Sequence, residues 1–413
     1  MVHRRCPACG GERGGTDVAH VALRTPDGHP LGGGYHVLSC ASCGTGFADA
    51  VVPAGYYDRY YSELAKYAQE VSTYAAPGPH PGGPVASEPE WLARKAGQSA
   101  ARVASAVPSA GARVLDVGCS TGLILGALAR LGFRELAGVD PSPESVARAC
   151  LRPGVRAVVG TFATLSDDLA DLDCVLATGV LEHLWDPLSA VEALRERVAP
   201  GGVVYLEVPD AAGYLDPYVA PFEDFSTEHV NHFSLLGLRH LAARGGFETL
   251  SETTYLAPLS ESVSTRCLAV TWRRTEAPAA PGPRDEALER ALLAFARRSE
   301  EDLATTSDAL EEALGDASGV AVWGIGEAAF KLLALAPLAS REVLAYSDAS
   351  PSRWGFCFGG RRVGPPGEFL GGDVPILAAS FVRAGSIASA AAALGVGDRL
   401  VRPDLLLARA ERT

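Results

Sequence analysis

The stretch VLDVGCSTGLILGAL, residues 114–128, decides the fold of this chain. It has the pattern of a buried strand ending at Asp116, a glycine-rich turn from Gly118 to Gly122, and a helix that begins directly afterwards. Glycine lets the backbone turn tightly and lets a ligand approach the main chain. The start of a helix offers free N–H groups and a partial positive charge to a carboxylate or a phosphate. The stretch therefore predicts a ligand-binding turn at the end of a strand.

The residues that follow alternate between strand and helix patterns. Strands are predicted at RVLDVG, ELAGVD, VRAVVG, DCVLATG and GGVVYLEVP, and helices at ILGALARL, PSPESVARAC and SLLGLRHLAARGG. Such alternation predicts a parallel sheet covered by helices on both faces. FETLSETTYL and CLAVTWRR are predicted as two closing strands. The fold class is therefore α/β.

Two stretches rich in proline and glycine, residues 76–84 and 276–284, are predicted linkers. They divide the chain into three predicted domains, 1–75, 85–275 and 284–413. The third begins with a long amphipathic helix, and GVAVWGIGEAAFKLL then repeats the strand, glycine turn and helix order. A second, smaller α/β domain is expected there.

Composition excludes several classes of protein. The 413 residues are 47% hydrophobic and carry a formal charge of −13, so we expect neither nucleic acid nor an anionic membrane as a partner. The N-terminus MVHRRCPACGG lacks the apolar segment of a secretory signal, and no stretch has the roughly 18 apolar residues of a membrane span. These features predict a cytoplasmic protein with a small-molecule substrate. They do not indicate an oligomeric state.

Four of the nine cysteines form two C-x-x-C pairs, Cys6 with Cys9 and Cys40 with Cys43. Two such pairs can complete a tetrahedron of thiolates around one zinc ion, and four thiolates leave no open position, so the zinc would be structural. A redox dithiol pair is the alternative interpretation. Nucleic-acid binding by this module is disfavoured, because residues 1–50 contain four arginines and four acidic residues.

Two classes of cofactor use a glycine turn of this kind. A dinucleotide fingerprint would have G-x-G-x-x-G, whereas here the spacing is D-x-G-x-x-x-G. The motif resembles the first motif of class I S-adenosylmethionine (SAM) methyltransferases. DCVLATGVLEHLWDP resembles their fourth strand with the helix after it, and VAPGGVVYLEVP resembles the turn into their fifth strand. A Rossmann-like sheet that binds no cofactor is the alternative.

The resemblance implies a set of cofactor-binding residues. The first turn, at the methionine end, contains Asp116, Gly118, Cys119, Ser120 and Gly122. Asp140, at the end of the next strand, is expected to accept hydrogen bonds from the ribose hydroxyls. The adenine is expected beside Thr161 and Phe162, and the sulfonium beside Thr178 and Gly179.

The stretch FEDFSTEHVNHFS, residues 222–234, follows the fifth strand and is therefore predicted on the ligand side of the sheet. Ser234 is a good N-cap for the helix after it, and His232 is interpreted as a residue of that helix start. Helix capping does not account for Glu228 and His229. An imidazole titrates near neutral pH, so His229 is predicted as the general base, with a structural role as the alternative. His183 is the second candidate.

Taken together, these motifs resemble the zinc-containing sugar C-methyltransferases of deoxysugar biosynthesis. The resemblance implies a four-cysteine zinc domain, a SAM domain and a C-terminal Rossmann-like domain. It also implies C3-methylation of a thymidine-diphosphate 4-keto-deoxysugar, with His229 as base, Glu228 beside it and His183 close by. Ser226 replaces a tyrosine of the family, and the turn GIGEAAFK has Glu327 after its second glycine. The tyrosines between residues 56 and 74 resemble substrate-side tyrosines of the family.

Three other functions are compatible with these patterns. O- or N-methylation of another small molecule, such as a natural product, also needs a base. A non-catalytic scaffold could use the zinc module for binding. The turn GIGEAA could bind NAD, with Asp348 as the ribose-binding acid, but an isolated G-x-G is weak evidence.

Overall fold

A computed structural model describes most of the chain. The described residues are 4–12, 14–53, 55–61, 89–107, 109–259, 263–277, 280, 282–369 and 373–410. The predicted linker at 76–84 and the tyrosines beyond residue 61 lie outside these ranges. No helix in the described part of the chain is long and apolar enough to cross a membrane.

The described residues form strands and helices throughout their length. The strands are β1 Gly15–Val21, β2 Tyr35–Cys40, β3 Gly46–Asp49, β4 Arg113–Val117, β5 Glu135–Asp140, β6 Val155–Val159, β7 Leu172–Thr178, β8 Val198–Pro209, β9 Asn231–His232, β10 Phe247–Pro258, β11 Ser264–Arg274, β12 Gly319–Trp323, β13 Glu342–Ser347, β14 Cys357–Phe358, β15 Arg361–Gly364, β16 Ile376–Ala378 and β17 Leu400–Val401. The α-helices are α1 Tyr56–Arg59, α2 Glu90–Ala106, α3 Leu123–Arg130, α4 Pro143–Ala149, α5 Pro187–Arg197, α6 Leu235–Gly245, α7 Glu286–Leu314, α8 Glu327–Leu332, α9 Ala336–Ala339, α10 Ala384–Ala393 and α11 Pro403–Ala410.

The central sheet has the order β10-β11-β8-β7-β4-β5-β6. Its strands from β8 to β6 run parallel, and β11 and β10 extend it in antiparallel fashion. In β4 every residue after Arg113 is buried, because helices cover both faces of this strand. The chain order reverses beside β4, since β5 lies on one side and β7 on the other. Ligands of open α/β sheets bind at the carboxyl ends of strands around such a reversal. The predicted α/β class is confirmed.

A second sheet, β1-β2-β3-β9, is antiparallel and combines the N-terminal strands with part of the segment 222–234, which we call the histidine loop. Gly46 pairs with His232, and Phe47 pairs with Asn231. His232 therefore lies in a short strand, and the prediction of a helix-start position for it is wrong. The helix begins at Leu235, and the Ser234 hydroxyl caps it by accepting from the Gly237 amide at 3.0 Å. The loop is thus held by strand pairing before it enters the helix.

The third sheet, β14-β15-β13-β12-β16-β17, is parallel except for its edge strand β14. The 29-residue helix α7 connects this part of the chain to the central sheet. Buried side chains from the N-terminal sheet, α7 and the third sheet form one continuous cluster, which includes Val37, Phe225, Phe295 and Val322. The residues of the histidine loop are therefore packed between the N-terminal sheet and the C-terminal part of the chain.

Candidate active site

The first glycine turn connects the end of β4 to α3. Gly118 and Gly122 adopt left-handed backbone angles, with φ of +80° and +71°. A Cβ atom on Gly118 would lie 2.6 Å from Val180 Cγ2, so no larger residue fits there without a shift. The turn also brings the Ser120 amide within 2.9 Å of Asp140 Oδ2. The predicted cofactor turn and the predicted ribose-binding acid therefore lie in direct contact.

Asp140 is the best-defined anchor of this region. Its Oδ1 accepts from the Ser142 amide at 2.9 Å, and burial raises the pKa of the carboxyl group. A carboxylate has further lone pairs for ribose hydroxyls. Thr161 and Phe162 are half-buried and follow the neighbouring strand β6. They lie near Asp140, because the amide of the preceding residue Gly160 donates to the Asp140 carbonyl at 3.0 Å. This arrangement fits the predicted order of ribose and adenine contacts.

Two residues of the first motif face the protein interior. The Cys119 side chain packs against β5, because a Cβ on Gly138 would lie only 2.6 Å from Cys119 Sγ. The backbone of Cys119 is therefore the part of this residue that can face a cofactor. Asp116 is buried, and its Oδ1 has no hydrogen-bond partner among the described residues. Burial, with Asp140 and Glu207 nearby, raises the pKa of Asp116 to about 7. An unpaired buried oxygen of this kind fits a site completed by a polar ligand.

The end of β7 leads from Thr178 and Gly179 into a short 3₁₀ helix, Leu181–His183. Gly179 has φ of +66°, and its amide donates to the Glu207 carbonyl at 2.8 Å. Glu182 is 3% exposed, and its Oε1 lies 3.9 Å from His183 Nε2. Burial raises the pKa of Glu182. The region predicted to face the sulfonium is therefore followed at once by an acid and an imidazole.

The two predicted histidines meet, although they lie in different loops. The rings of His183 and His229 have centroids 4.8 Å apart at 70°. His183 Nδ1 lies 3.1 Å from the Glu228 carbonyl oxygen, which can only accept a hydrogen bond. In the tautomer with the proton on Nδ1, His183 donates to this carbonyl and its Nε2 is an acceptor. Ligand-type atoms of Glu182, His183 and His229 lie within 4.8 Å of one another, a set that can also hold a cation.

Tyrosines of the N-terminal part hold the histidine loop by its backbone and by Glu228. Tyr60 donates to Glu228 Oε1 at 2.8 Å, and Tyr61 Oη lies 2.9 Å from His183 Nδ1. Tyr57 donates to the Thr227 carbonyl at 2.9 Å. Tyr60 and Tyr61, at the described start of the tyrosine-rich segment, therefore contact the candidate catalytic residues Glu228 and His183.

The four predicted zinc ligands converge. Cys6 Sγ lies 3.5 Å from Cys43 Sγ, and Cys9 Sγ lies 3.7 Å from Cys40 Sγ. Sulfur atoms 2.3 Å from one tetrahedral zinc are about 3.8 Å apart, so the arrangement fits such an ion. Amides of Gly11 and Ser42 donate to Cys9 Sγ and Cys40 Sγ, each at 3.4 Å, as expected for two knuckles.

Some residues of this region were missed by the sequence interpretation. Glu182 adjoins the singled-out His183, and that adjacency was the available signal. Glu207 lies in the predicted fifth strand, where Ser99 donates to its Oε1 at 2.8 Å and Arg102 lies 3.4 Å away. No local pattern indicates that contact, because Ser99 and Glu207 are 108 residues apart.

Comparisons with known proteins agree with this geometry. Residues 90–252 match the family model described as a methyltransferase domain. Ubiquinone biosynthesis O-methyltransferases from Xanthomonas campestris and Methylocella silvestris are each 39% identical, over 110 and 103 residues. These matches cover 25% and 24% of this chain, and the chain spans 46% and 40% of the two relatives.

Solved structures of SAM-dependent methyltransferases are also similar. A protein from Thermotoga maritima, described as a possible histamine N-methyltransferase, is 18% identical with a TM-score of 0.37, covering 45% of this chain and 91% of its own. The family match, together with the sheet order and the glycine turn, leads to one conclusion. The central part of this chain is a class I, SAM-dependent methyltransferase domain.

Proposed function

We propose that the protein transfers a methyl group from SAM to a small-molecule acceptor whose attacking atom must first lose a proton. The observation that carries this proposal is the meeting of His183 and His229 at the carboxyl edge of the central sheet. SAM supplies an electrophilic methyl group when bound. The chain's own task is to orient the acceptor and to take its proton at an imidazole nitrogen.

The preferred acceptor is a nucleotide-activated 4-keto-deoxysugar, methylated at C3. In this reaction the ketone acidifies the C3 proton and an imidazole accepts that proton. The resulting enolate carbon would then take the methyl group as the bond from the sulfonium sulfur to that methyl group breaks, with S-adenosylhomocysteine (SAH) as the leaving group. We propose His229 as the base and Glu228 as the residue that orients a sugar hydroxyl or the imidazole. His183, whose Nε2 is an acceptor in the tautomer with the proton on Nδ1, is the alternative base.

The C-terminal sheet supports a nucleotide-linked acceptor. Its turn at Gly324 has φ of +97°, and Asp348 Oδ2 accepts from the Ile325 amide at 2.6 Å. In the first glycine turn, the Ser120 amide donates to Asp140 Oδ2 in the same way. The chain therefore contains two glycine turns in which a backbone amide donates to an aspartate at the carboxyl end of the next strand. We propose that the first serves SAM and that the second serves the nucleotide of the acceptor.

A zinc ion at Cys6, Cys9, Cys40 and Cys43 is part of this proposal, in a structural role. The four sulfurs leave no open position for a substrate. The same N-terminal part of the chain also contacts the histidine loop, where Tyr35 donates to the Ser226 carbonyl at 2.9 Å. We therefore expect the metal to maintain the shape of the active site without taking part in the reaction.

O-methylation is the second candidate, favoured by the curated relatives named as ubiquinone biosynthesis O-methyltransferases. Calorimetry with thymidine diphosphate and the SAH-loaded protein separates the two. Micromolar binding supports the sugar nucleotide, whereas no binding refutes that acceptor and directs the search to O- and N-acceptors.

Deuterium exchange at C3 of a keto-sugar nucleotide then tests the base. We expect His229→Asn to abolish exchange while the exposed His20→Asn leaves it unchanged. Loss of exchange in His183→Asn alone would assign the base to His183. The same exchange assay in the presence of a chelator, with the zinc content of the protein monitored, shows whether C3 exchange requires a second cation at Glu182.

A further inference from the structure

We infer that Glu327, at the start of α8 in the C-terminal part of the chain, is a positioning residue for the loop that carries Glu228 and His229. Its Oε2 accepts from the Thr227 amide at 2.9 Å, and its Oε1 accepts a hydrogen bond from the Thr227 hydroxyl. Thr227 directly precedes Glu228. The inference rests on the proposed function, in which this loop supplies the base.

The contact restrains Thr227 at two points. Thr227 is 2% exposed, so water cannot readily replace either bond. A carboxylate that binds the amide and the hydroxyl of one residue limits both its backbone and its side-chain torsions. Bonds to an ionised carboxylate are also shorter and stronger than those between neutral groups.

The same helix holds the loop at a second place. Lys331 is 2% exposed and lies one turn after Glu327. Its ammonium group donates to the Phe222 carbonyl. Helix α8 therefore contacts both ends of the segment 222–227, while Tyr35 and Tyr57 hold the same backbone from the N-terminal side at Ser226 and Thr227.

This arrangement gives the acid in GIGEAAFK a role. An acid directly after a nucleotide-binding turn would repel a phosphate. Here the Glu327 carboxylate is instead bound to the histidine loop, 100 residues away in sequence. The C-terminal part of the chain thus contributes to the shape of the active site, because reacting groups require positions accurate to roughly 0.5 Å.

A purely structural contact would behave differently, and the chain offers a control. Asp27 also links the N-terminal part to the C-terminal sheet through two backbone amides, Gly359 at 2.8 Å and Gly360 at 2.9 Å. Its hydrogen bonds do not involve the histidine loop. Asp27 is exposed, so Asp27→Asn removes a carboxylate contact to two amides at the surface without touching Thr227.

Hydrogen–deuterium exchange of the full chain tests the inference without any acceptor. We expect Glu327→Gln to speed exchange at amides 227–230 by roughly tenfold or more, while Asp27→Asn leaves these amides as in the wild type. Thr227→Val, which keeps the amide but loses the hydroxyl, should give a smaller increase. It also serves as the test if Glu327→Gln does not fold.

Kinetics supply a second measurement. We expect Glu327→Gln to lower kcat by roughly tenfold with the KM for SAM unchanged, and Glu327→Asp to recover part of the loss. Wild-type exchange rates in Glu327→Gln, or equal acceleration in Asp27→Asn, would overturn the inference. A wild-type protein that methylates no acceptor would instead count against the proposed function, since the exchange experiment does not depend on activity.

Discussion

Arg4 links both histidine-bearing segments to the N-terminal part of the chain, and replacing it should have a large effect. Arg4 is 7% exposed. It donates to the carbonyls of Trp185 at 2.7 and 2.9 Å, Leu184 at 3.1 Å and Val230 at 2.9 Å. It also donates to Asn231 Oδ1 at 2.5 Å. Arg4→Met removes all of these donors while preserving much of the packing volume.

The magnitude follows from two opposing contributions. Four acceptors lose a charged donor, and hydrogen bonds to charged groups contribute about 1.5–3 kcal/mol each, which gives roughly 6–12 kcal/mol in total. Against this, burial lowers the pKa of Arg4 to about 10, which corresponds to about 3 kcal/mol of hydration free energy that the guanidinium loses on folding and that the methionine variant does not lose. We expect a net loss of at least about 3 kcal/mol, in line with other broken buried charge contacts.

Differential scanning calorimetry measures this loss. For a unit of 150–250 residues, about 3 kcal/mol corresponds to a Tm decrease of roughly 6–12 °C. Arg156→Met is the control, because Arg156 is exposed and lies 3.3 Å from the exposed Asp168, where an ion pair contributes about 0–1 kcal/mol. A decrease for Arg4→Met no larger than that of the control would refute the reasoning.

Three further predictions concern the cofactor turn, the buried acid beside it and the metal. Gly118→Ala should weaken SAM binding at least about tenfold in calorimetry, because its Cβ would clash with Val180 in the cofactor turn, whereas Gly132→Ala, which also has a positive φ but lies outside the turn with no atom within 4 Å, should not. Asp116 has its folded-state pKa raised to about 7, so its contribution to stability is present below about pH 4 and is lost as the pH rises to 7. The Tm of ligand-free Asp116→Asn relative to the wild type should therefore increase across that interval, and a constant difference would contradict the assignment. Metal analysis should find about one equivalent of zinc per chain in the wild type and a loss of this zinc in Cys6→Ser. The variant should also show faster hydrogen–deuterium exchange in β2 and β3. An unchanged zinc content would contradict the four-cysteine site.

The glycine turn and the cysteine knuckles could be predicted from sequence because their physics is local. A strand, a turn at positive φ and a helix start are encoded within the residues that form them, as Gly118, Gly122 and Ser234 illustrate. Two C-x-x-C pairs likewise aim their thiolates through turns of four residues each. The roles of these residues toward a cofactor or a metal remain predictions, but their placement follows from short-range geometry.

Which residues meet around His183 and His229 could be determined only from the tertiary structure. His183 and Glu228 are 45 residues apart, and Arg4 reaches Trp185 across 181 residues. The strand pairing of His232 with Gly46 likewise depends on a distant partner. Hydrophobic periodicity predicts which face of an element is buried, but it does not specify what that face contacts.

The sequence by itself therefore determined the α/β class, the SAM-type turn, the paired cysteine knuckles and the candidate histidines. Only the tertiary structure decided that Glu182 joins His183 and His229, and that Glu327 binds the loop through Thr227. The reason is physical. Local hydrogen bonding and glycine torsions depend on neighbours in the chain, whereas a side chain's partners across 100 residues depend on how three sheets pack against one another.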